Sequence, residues 1–588
     1  MSAAVLGIER SLSGRRWRSR VQDDRLALAL AQRLAVPEVV GRVLAARGVA
    51  LDRAERFLNP SLREDLPDPL LLKDMGAAVD RLARAVTQGE TVAVFGDYDV
   101  DGATSSALLV RFLGAVGARC IPYIPDRMKE GYGPNTAALL RLRAQGAAVV
   151  VTVDCGVSAH EPLAAARAAG LEPIVIDHHL PGPSLPPGCI VVDPNRLDEA
   201  GGLGQLAAVG VAFLLVVALN RALRRAGWFA ARPEPDLMAW LDLVAVGTVC
   251  DAVPLTGLNR AFVTQGLRVL ARRTNVGLAA LADVARFDQR PGTYHAGFLL
   301  GPRINAGGRV GEPDLGVRLL CSEDPAEARR LAETLDRYND ERKAIEAKVQ
   351  EAAIQAVEAG PPRAIAFAAG AGWHPGVVGI VAARLVERFQ RPAFVVGIDA
   401  GVGKGSGRSV PGVDIGAAVI AARQAGLLLN GGGHAAAAGL TVDAARMTEL
   451  ATFLDRRLAA AVAEHAREPS LGLDGTIAVG AATRDLLELV ARAGPYGQGN
   501  AEPRFAVTGC RIVRAEVVGG DHVRCIVAGE DGGRLKAIAF RHAGSAVGRA
   551  MMAKGGGTLH LAGTLRAESW REQETVQLVV EDAAVAVP

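Results

Sequence analysis

Three aspartates at alternate positions stand in the stretch Phe95-Gly96-Asp97-Tyr98-Asp99-Val100-Asp101-Gly102. Carboxylates this close repel one another and raise each other's pKa unless a cation neutralises them. The same residue types recur at Thr152-Val153-Asp154-Cys155-Gly156, at Asp177-His178-His179, and at Asp251, which follows Leu243–Cys250. Taken singly, each has a bland reading. An Asp after a strand is commonly a helix N-cap, and a lone His is usually hydrogen-bonded in a core or at a surface. Together they make six carboxylates and two adjacent imidazoles, drawn from only 10 histidines in the chain. Such mixed oxygen and imidazole donors suit Mn²⁺, or Mg²⁺ with more water, and disfavour a structural zinc. The chemistry this permits is the binding of a divalent cation, which neutralises the crowded carboxylates.

That chemistry requires elements that bring the clusters together. Short β-rich runs at Thr91–Phe95, Cys120–Ile124, Ala148–Val153, Pro173–Ile176 and Ile190–Val192 alternate with helix-period stretches such as Thr104–Val116 and Thr136–Gln145. This rhythm predicts a parallel, doubly wound α/β sheet, whose ligands bind beyond the carboxyl ends of its strands. The first three clusters each follow a predicted strand, so they should meet at one sheet edge. A helical segment over about 205–320 follows. Asp324-Pro325-Ala326-Glu327 then opens a long polar helix running to Gly360-Pro361-Pro362, which reads as a strut between domains.

A second, smaller α/β region spans about 363–465, with strands at Ala364–Ala368 and Ala393–Ile398. It holds two Gly-rich stretches expected to be loops. Gly403–Ser409 offers cations and hydroxyls; Asn430-Gly431-Gly432-Gly433-His434-Ala435 precedes an Ala run expected to be helical. Backbone N–H groups in such loops suit an anion, although either loop alone reads equally as a linker or turn. From residue 466 onward, alternating runs at Cys510–Val518, His522–Ala528, Arg534–Phe540, Thr558–Leu565 and Thr575–Val580 predict a small β barrel, and residues 1–85 read as a charged helical cap. The expected domains are therefore 1–85, 86–322, 323–360, 361–465 and 466–588.

Composition bounds the reading without choosing the partner. At 588 residues the chain exceeds one hydrophobic core. The formal net charge is +3, and 59 of the 66 basic residues are Arg, which suits bidentate phosphate contacts. Seven scattered cysteines without a C-x-x-C pair argue against a disulfide framework or a zinc ribbon and fit a reducing cytoplasm. The N-terminus lacks the apolar core of a signal peptide, and the longest apolar run, Leu206–Leu219, is too short to span a bilayer. A cytoplasmic protein with no membrane partner is expected.

Asp177-His178-His179 is the signature of the DHH phosphoesterase superfamily, and Gly96–Gly102 resembles the first motif of its RecJ branch. Similar stretches are Glu130-Gly131-Tyr132-Gly133, Gly301–Arg309 (GPRINAGGR) and Trp373-His374-Pro375-Gly376, while Gly431–His434 resembles the GGGH of the companion DHHA1 domain. The resemblance covers nearly the whole chain. It implies a DHH domain and a smaller DHHA1 domain joined by a long helix, with a C-terminal OB-like barrel. It also implies a metal-dependent exonuclease that degrades single-stranded DNA from the 5′ end to 5′-mononucleotides, in DNA repair and recombination.

Carried over by motif, the metal ligands would be Asp97, Asp99, Asp101, Asp154, His178 and Asp251. Asp154 would bridge two Mn²⁺ or Mg²⁺ ions, with His178 and His179 completing the catalytic set. Many superfamily members have His where this chain has Phe95; Phe cannot bind a metal, so that duty passes to Asp97. Arg127, Arg303, Asn305 and Arg309 would face Ser406, Arg408, Gly432, Gly433 and His434 across a site for the DNA 5′-phosphate. The barrel would be a single-strand platform, with Phe505, Phe540 and Trp570 as its few aromatic candidates. A single-strand-binding protein and a helicase are further candidate partners.

The rival readings are a phosphodiesterase of short oligonucleotides, cyclic dinucleotides or polyphosphate, and a non-catalytic nucleic-acid scaffold. The long helix and added barrel argue against the first, and the full ligand set against the second. Since every candidate ligand precedes residue 252 and every candidate end-binding residue precedes residue 440, a chain cut near Glu468 is expected to keep its chemistry and lose affinity for long strands.

Overall fold

The computed structural model describes residues 3–127, 129–465, 469–553, 557–570 and 573–586, apart from the side chains of 569–570 and 573–574. The chain forms two compact units: residues 67–253 with 262–467, and residues 1–66 with 254–261 and 468–588.

The larger unit begins as a five-stranded, all-parallel sheet of β1 (Thr91–Gly96), β2 (Arg119–Tyr123), β3 (Ala147–Val153), β4 (Glu172–Ile176) and β5 (Ile190–Val192), in the order β2-β1-β3-β4-β5. Val92, Val94, Val149, Val151, Ile174 and Ile176 are at most 1% exposed, as expected for strands covered on both faces. The order reverses between β1 and β3, and a doubly wound sheet opens its ligand crevice at that point. The loop after β1 carries Asp97 and Asp99, the first turn of the following helix carries Asp101, and the loop after β3 carries Asp154. The helices α1 (Val100–Ala115), α2 (Ala208–Arg225), α3 (Leu241–Cys250) and α4 (Gly301–Val310) belong to the same unit.

The predicted strut is α5 (Pro325–Ala359), capped by Asp324, whose carboxylate accepts the Ala326 N–H at 2.9 Å. It is not a free spacer. One face buries Ala328, Leu331, Ala332 and Leu335, and further along it buries Val349 and Ala353.

The second sheet runs β9-β10-β8-β7-β6, from β6 (Ala366–Ala371), β7 (Ala393–Asp399), β8 (Val402–Arg408), β9 (Asn430–His434) and β10 (Ala437–Asp443). The helix α6 (Pro375–Phe389) lies between β6 and β7 in sequence. Here the expectation of two Gly-rich loops, the second leading into a helix, is corrected. Both stretches are strands, β8 and β9, each paired antiparallel with β10, and the Ala run opens β10. The reason is steric. A β-carbon at Gly403, Gly405 or Gly407 would come within 2.9, 2.8 and 2.6 Å of Val396, Val396 and Phe394 side chains respectively, so glycine is needed for close packing rather than for turning.

The smaller unit contains a closed barrel of β11 (Phe505–Val518), β12 (His522–Ala528), β13 (Arg534–Ala539), β14 (Leu559–Trp570) and β15 (Gln573–Val585), in which β14 returns to pair with β11. Residues 1–66 are not a separate cap. Arg16–Ser19 is a strand, parallel to Ser470–Leu473. Leu30, Val40, Val43, Leu44 and Leu58 share a core with Ile477, Val490, Phe505 and Val523. The fully buried Asp474 accepts hydrogen bonds from Arg20 (2.9 Å), Arg47 (3.0 Å) and the Arg504 N–H (2.9 Å), tying the two chain ends together. Phe505 is core, Phe540 is 48% exposed, and the Trp570 side chain lies outside the described residues. On the barrel surface Arg514 and Arg524 are paired to Glu516, and Lys536 to Glu568, so this face is less basic than its arginines suggest.

Candidate metal centre and anion pocket

The four strand-end and helix-end clusters converge. One set of ligand atoms, from Asp97, Asp99 and Asp154, lies within 4.8 Å of one another, as does a second set from Asp101, His178 and Asp251. A third overlapping set joins Asp154 to His178 and His179. Asp154 belongs to the first set and meets the second through His178, whose Nε2 lies 3.3 Å from its carboxylate.

Each side chain is placed by local structure. Asp99 caps α1 by accepting the Gly102 N–H at 3.1 Å, so the bland N-cap reading holds for it alongside any other role. Asp101, in the first turn of α1, accepts the Ala208 and Val209 N–H groups at 2.6 and 2.9 Å, at the start of α2. Asp154 has φ of +60°, a left-handed backbone that Asp tolerates better than most residues. Its carbonyl accepts the Tyr132 hydroxyl at 3.1 Å. Asp251 ends α3 as its C-cap.

The two histidines are held in opposite states. The His178 Nδ1–H donates to the Leu206 carbonyl at 3.1 Å. This fixes the tautomer and leaves the Nε2 lone pair facing Asp154 at 3.3 Å, Asp251 at 3.6 Å and Asp101 at 4.0 Å. Burial, then the charge of His179, pull the His178 pKa down to about 4, so it is a neutral imidazole at neutral pH. The Asn195 amide donates to the His178 carbonyl at 2.5 Å and fixes the loop from the other side. Burial alone would lower His179 too. Its 2.8 Å hydrogen bond to Asp177 and the surrounding carboxylates outweigh this and raise it to about 9. Asp177 also accepts the Val157 N–H at 3.0 Å and the His178 N–H at 2.8 Å. Although burial would raise its pKa, these bonds and the His179 charge hold it below the usual carboxylate range.

Four other carboxylates are shifted the opposite way. Burial and then the charge of Asp99 push Asp97 and Asp154 well above the usual range, Asp101 to about 7; burial and then Asp101 push Asp251 to about 9. Asp97 Oδ1, Asp154 Oδ1, His178 Nε2 and Asp251 Oδ2 are all buried without a hydrogen-bond partner among the described residues. Four orphaned acceptors around one space fit divalent cations, since buried polar groups are otherwise paired. Phe95 is fully buried and stacks on Tyr123 at 5.2 Å, outside this set.

A group of cations adjoins the carboxylates. Burial lowers the Arg309 guanidinium to about 10, helped by the charges of Arg127, Arg342 and Arg408, while Asp99 acts in the opposite direction. Arg408 is lowered by burial and by Arg127, and His374 likewise. Arg309 donates to the Gly376 carbonyl at 2.8 Å, Arg127 lies over the Tyr98 ring at 5.0 Å, and Arg408 donates to Ser406 at 2.8 Å. Crowded guanidiniums favour an anion between them.

The β8-β10-β9 register orders the Gly-rich residues. Ser406, Gly439 and Gly432 form one cross-strand row, and Arg408, Ala437 and His434 the next. Directly paired residues share a face, so a floor of small residues is flanked by Ser406 and Arg408 on one side and His434 on the other. A β-carbon at Gly432 or Gly439 would meet nothing within 4 Å, so this face is open, whereas Gly433, one position along, faces the backbone of Ala437 at 2.3 Å.

Not every expected residue joins. Arg303 is bound to Asp336 at 2.8 Å and to the Leu299 carbonyl at 2.8 Å, a structural pairing to α5. Asn305 is half-buried on the face of α4 that carries Arg309. Sequence reasoning passed over Arg342 as a member of the cationic group, His374 as a neutral neighbour of Arg127, and Asn195 and Tyr132 as supports. Tyr132 and His374 lay inside recognised motifs, and Asn195 follows a predicted strand end. Arg342 carried no signal on its charged helix.

Comparisons with known proteins agree with this architecture. Residues 91–248 match the DHH family, N-terminal domain; residues 361–460 the DHHA1 domain; and residues 473–582 the RecJ OB domain. The chain is 34% identical to the single-stranded-DNA-specific exonuclease RecJ of Bacillus subtilis over 577 residues, 97% of this chain and 71% of that protein. It is 38% identical to RecJ of Escherichia coli over 525 residues, 86% of this chain and 89% of that protein. The crystal structure of RecJ in complex with Mn²⁺ from Thermus thermophilus superposes with a TM-score of 0.80 at 31% identity, covering 96% of this chain and 78% of that one. In domain content, sequence and fold, the chain belongs to the RecJ family.

Proposed function

We propose that this protein is a single-stranded-DNA-specific exonuclease that degrades from the 5′ end and releases 5′-mononucleotides by two-metal-ion hydrolysis, in DNA repair and recombination. The observation that carries this reading is the pair of acid-rich triads joined by the approach of Asp154 to His178 at 3.3 Å, with a cationic pocket beside them. Asp97, Asp99 and Asp154 would hold one cation, and Asp101, Asp154, His178 and Asp251 the other. Bound there, the two cations supply Lewis acidity toward the phosphodiester and lower the pKa of the attacking water.

The protein's own groups do the rest. Asp154 spaces the two triads. His178 offers a neutral nitrogen because Leu206 holds its other proton. His179, positively charged in the metal-free protein, is placed by Asp177 to meet the scissile phosphate. Arg127, Arg309, Arg408, Ser406 and His434 would receive the terminal phosphate on the open face beside β8 and β9, so that cleavage starts at an end. Among the described residues no helix is long and apolar enough to cross a membrane, and the cysteines are free, which supports a cytoplasmic site of action. An enzyme confined to single strands needs them unwound and kept open, which supports a helicase and a single-strand-binding protein as partners.

The end-binding assignment is tested on strands with a 5′-phosphate and with a 5′-hydroxyl. Arg408→Ala and His434→Ala are each expected to cut the preference for the phosphate about tenfold, the worth of a charge-assisted hydrogen bond. Turnover once the strand is bound should fall less. A preference unchanged in both variants would place the pocket elsewhere.

A further inference from the structure

The loop between β2 and the helix Thr136–Ala144 serves both halves of the site. Arg127 lies over the Tyr98 ring at 5.0 Å, among the cations of the anion pocket. Five residues on, Tyr132 donates its hydroxyl to the Asp154 carbonyl at 3.1 Å and meets the His179 ring edge-on at 5.9 Å. Gly131 and Gly133, with φ of +85° and +78°, turn the chain on either side of Tyr132. A loop with one contact to each centre needs something to fix their spacing, because loops are otherwise the most mobile parts of a fold.

Glu130 stands between the two and is bonded to both ends of the loop. Its Oε2 accepts the Tyr123 hydroxyl at 2.7 Å, at the end of β2. The same oxygen accepts the Asn135 amide at 3.0 Å, where Asn135 caps the following helix through the Ala138 N–H. Oε1 accepts the Asp126 N–H at 3.1 Å, and the Glu130 N–H donates to the Asp126 carbonyl at 2.7 Å. Arg141 approaches Oε2 at 3.4 Å and lies over the Tyr123 ring at 5.6 Å. That ring stacks on the fully buried Phe95 of β1, so the anchor reaches the sheet core. Burial would raise the Glu130 pKa, but the Tyr123 hydroxyl, the Asp126 N–H, the Asn135 amide and Arg141 outweigh it and hold the carboxyl below its usual range. These partners all belong to the loop and to the two elements that flank it.

We propose that Glu130 is a positioning residue that holds Arg127 and Tyr132 at a fixed spacing, so that the 5′ end of the strand is registered one nucleotide from the metal centre. The proposal rests on the nuclease reading above and names what sets the length of its product. Only a group that accepts on both oxygens satisfies these donors. Gln has the same shape, yet its amide nitrogen would face the Asp126 N–H on one side or the Asn135 NH₂ and Arg141 on the other, all of them donors. Donors left without a partner weaken the anchor, and the loop relaxes.

The test is Glu130→Gln in the full chain, with Tyr123→Phe as a second variant that removes one anchor and keeps the ring on Phe95. The probes are oligo(dT) strands of about 20 nucleotides, longer than one single-strand site, with a 5′-phosphate or a 5′-hydroxyl. Binding is read without divalent cations, and cleavage with Mn²⁺ while resolving the length of the first product. The wild type should release mononucleotides alone. Glu130→Gln should lose about tenfold of the binding preference for the phosphate and release dinucleotides beside mononucleotides. Mn²⁺ should raise its Tm as much as that of the wild type. Tyr123→Phe should move preference and product length the same way, by less. A glutamate that only stabilised the fold would lower the Tm without altering either. A folded Glu130→Gln with unchanged preference and mononucleotides alone would overturn the positioning role, as would a lost response to Mn²⁺. Should Glu130→Gln fail to fold, unchanged preference and product length in Tyr123→Phe would overturn it instead. A wild type that prefers the phosphate but does not cleave would overturn the nuclease reading, and loss of that preference in Glu130→Gln would still support the anchor.

Discussion

Asp154→Asn should cost about a thousandfold or more in hydrolysis while leaving the protein folded and, without metal, no less stable. Asn is the informative choice because residue 154 has φ of +60°, which Asn accepts and Ala would not. The stability half follows from the charges. Asp101 is raised to about 7 and Asp251 to about 9, with Asp97 and Asp154 shifted the same way. A carboxyl whose folded pKa exceeds its unfolded value of about 4 stabilises the fold fully below that value, and the contribution is lost as pH rises through the folded pKa. The metal-free wild type should therefore show a falling Tm between about pH 5 and pH 9. Asp154→Asn removes one of the buried charges and should flatten the fall. Mn²⁺ should raise the Tm of the wild type more than that of the variant, because a ligand stabilises the state that binds it. Calorimetry at several pH values, with and without Mn²⁺, reads all of this. Near-normal turnover by the variant would remove Asp154 from the chemistry, and unfolding at neutral pH would assign it a structural role.

The second large effect concerns the chain ends. Truncation near Glu468 removes the partners of Leu30, Val40, Val43 and Leu44, each at most 1% exposed, and of Leu58. Re-exposing each such side chain costs about 1.5–3 kcal/mol, so together they match the whole stability of a typical domain. The expectation that the truncated chain retains its chemistry is accordingly revised. It should aggregate or expose its N-terminal segment to protease, whereas a chain lacking both 1–66 and 468–588 should stay monomeric and cut very short oligonucleotides. Size-exclusion chromatography and thermal melts of the two truncations distinguish them. A monomeric single truncation with the Tm of the full chain would contradict the shared core.

What could be read beforehand followed from local rules. Asp97, Asp154 and Asp177 each end a strand of strongly β-branched residues, and parallel strands align their carboxyl ends, so the metal centre was legible from residue type and position. The strand at Arg16–Ser19 was not, because its partner is Ser470–Leu473 and four residues carry no alternation worth reading. The Gly-rich strands β8 and β9 were hidden for a different reason. The inner face of β8 is glycine packed against Val396, Leu440 and Phe394, and in β9 Gly431 packs against Leu428 and Val419, so the hydrophobic period of two that marks a strand is absent from their own sequence. Arg342 joins the cationic group only through the packing of α5.

The central claim is most directly tested by a time course on a single-stranded DNA carrying a 5′-phosphate, labelled at either end, with Mn²⁺ or with a chelator. The account predicts immediate release of the 5′ label as a mononucleotide, late release of the 3′ label, and no cleavage with the chelator. Early release of the 3′ label, internal cutting, or undiminished cleavage in the chelator would contradict it.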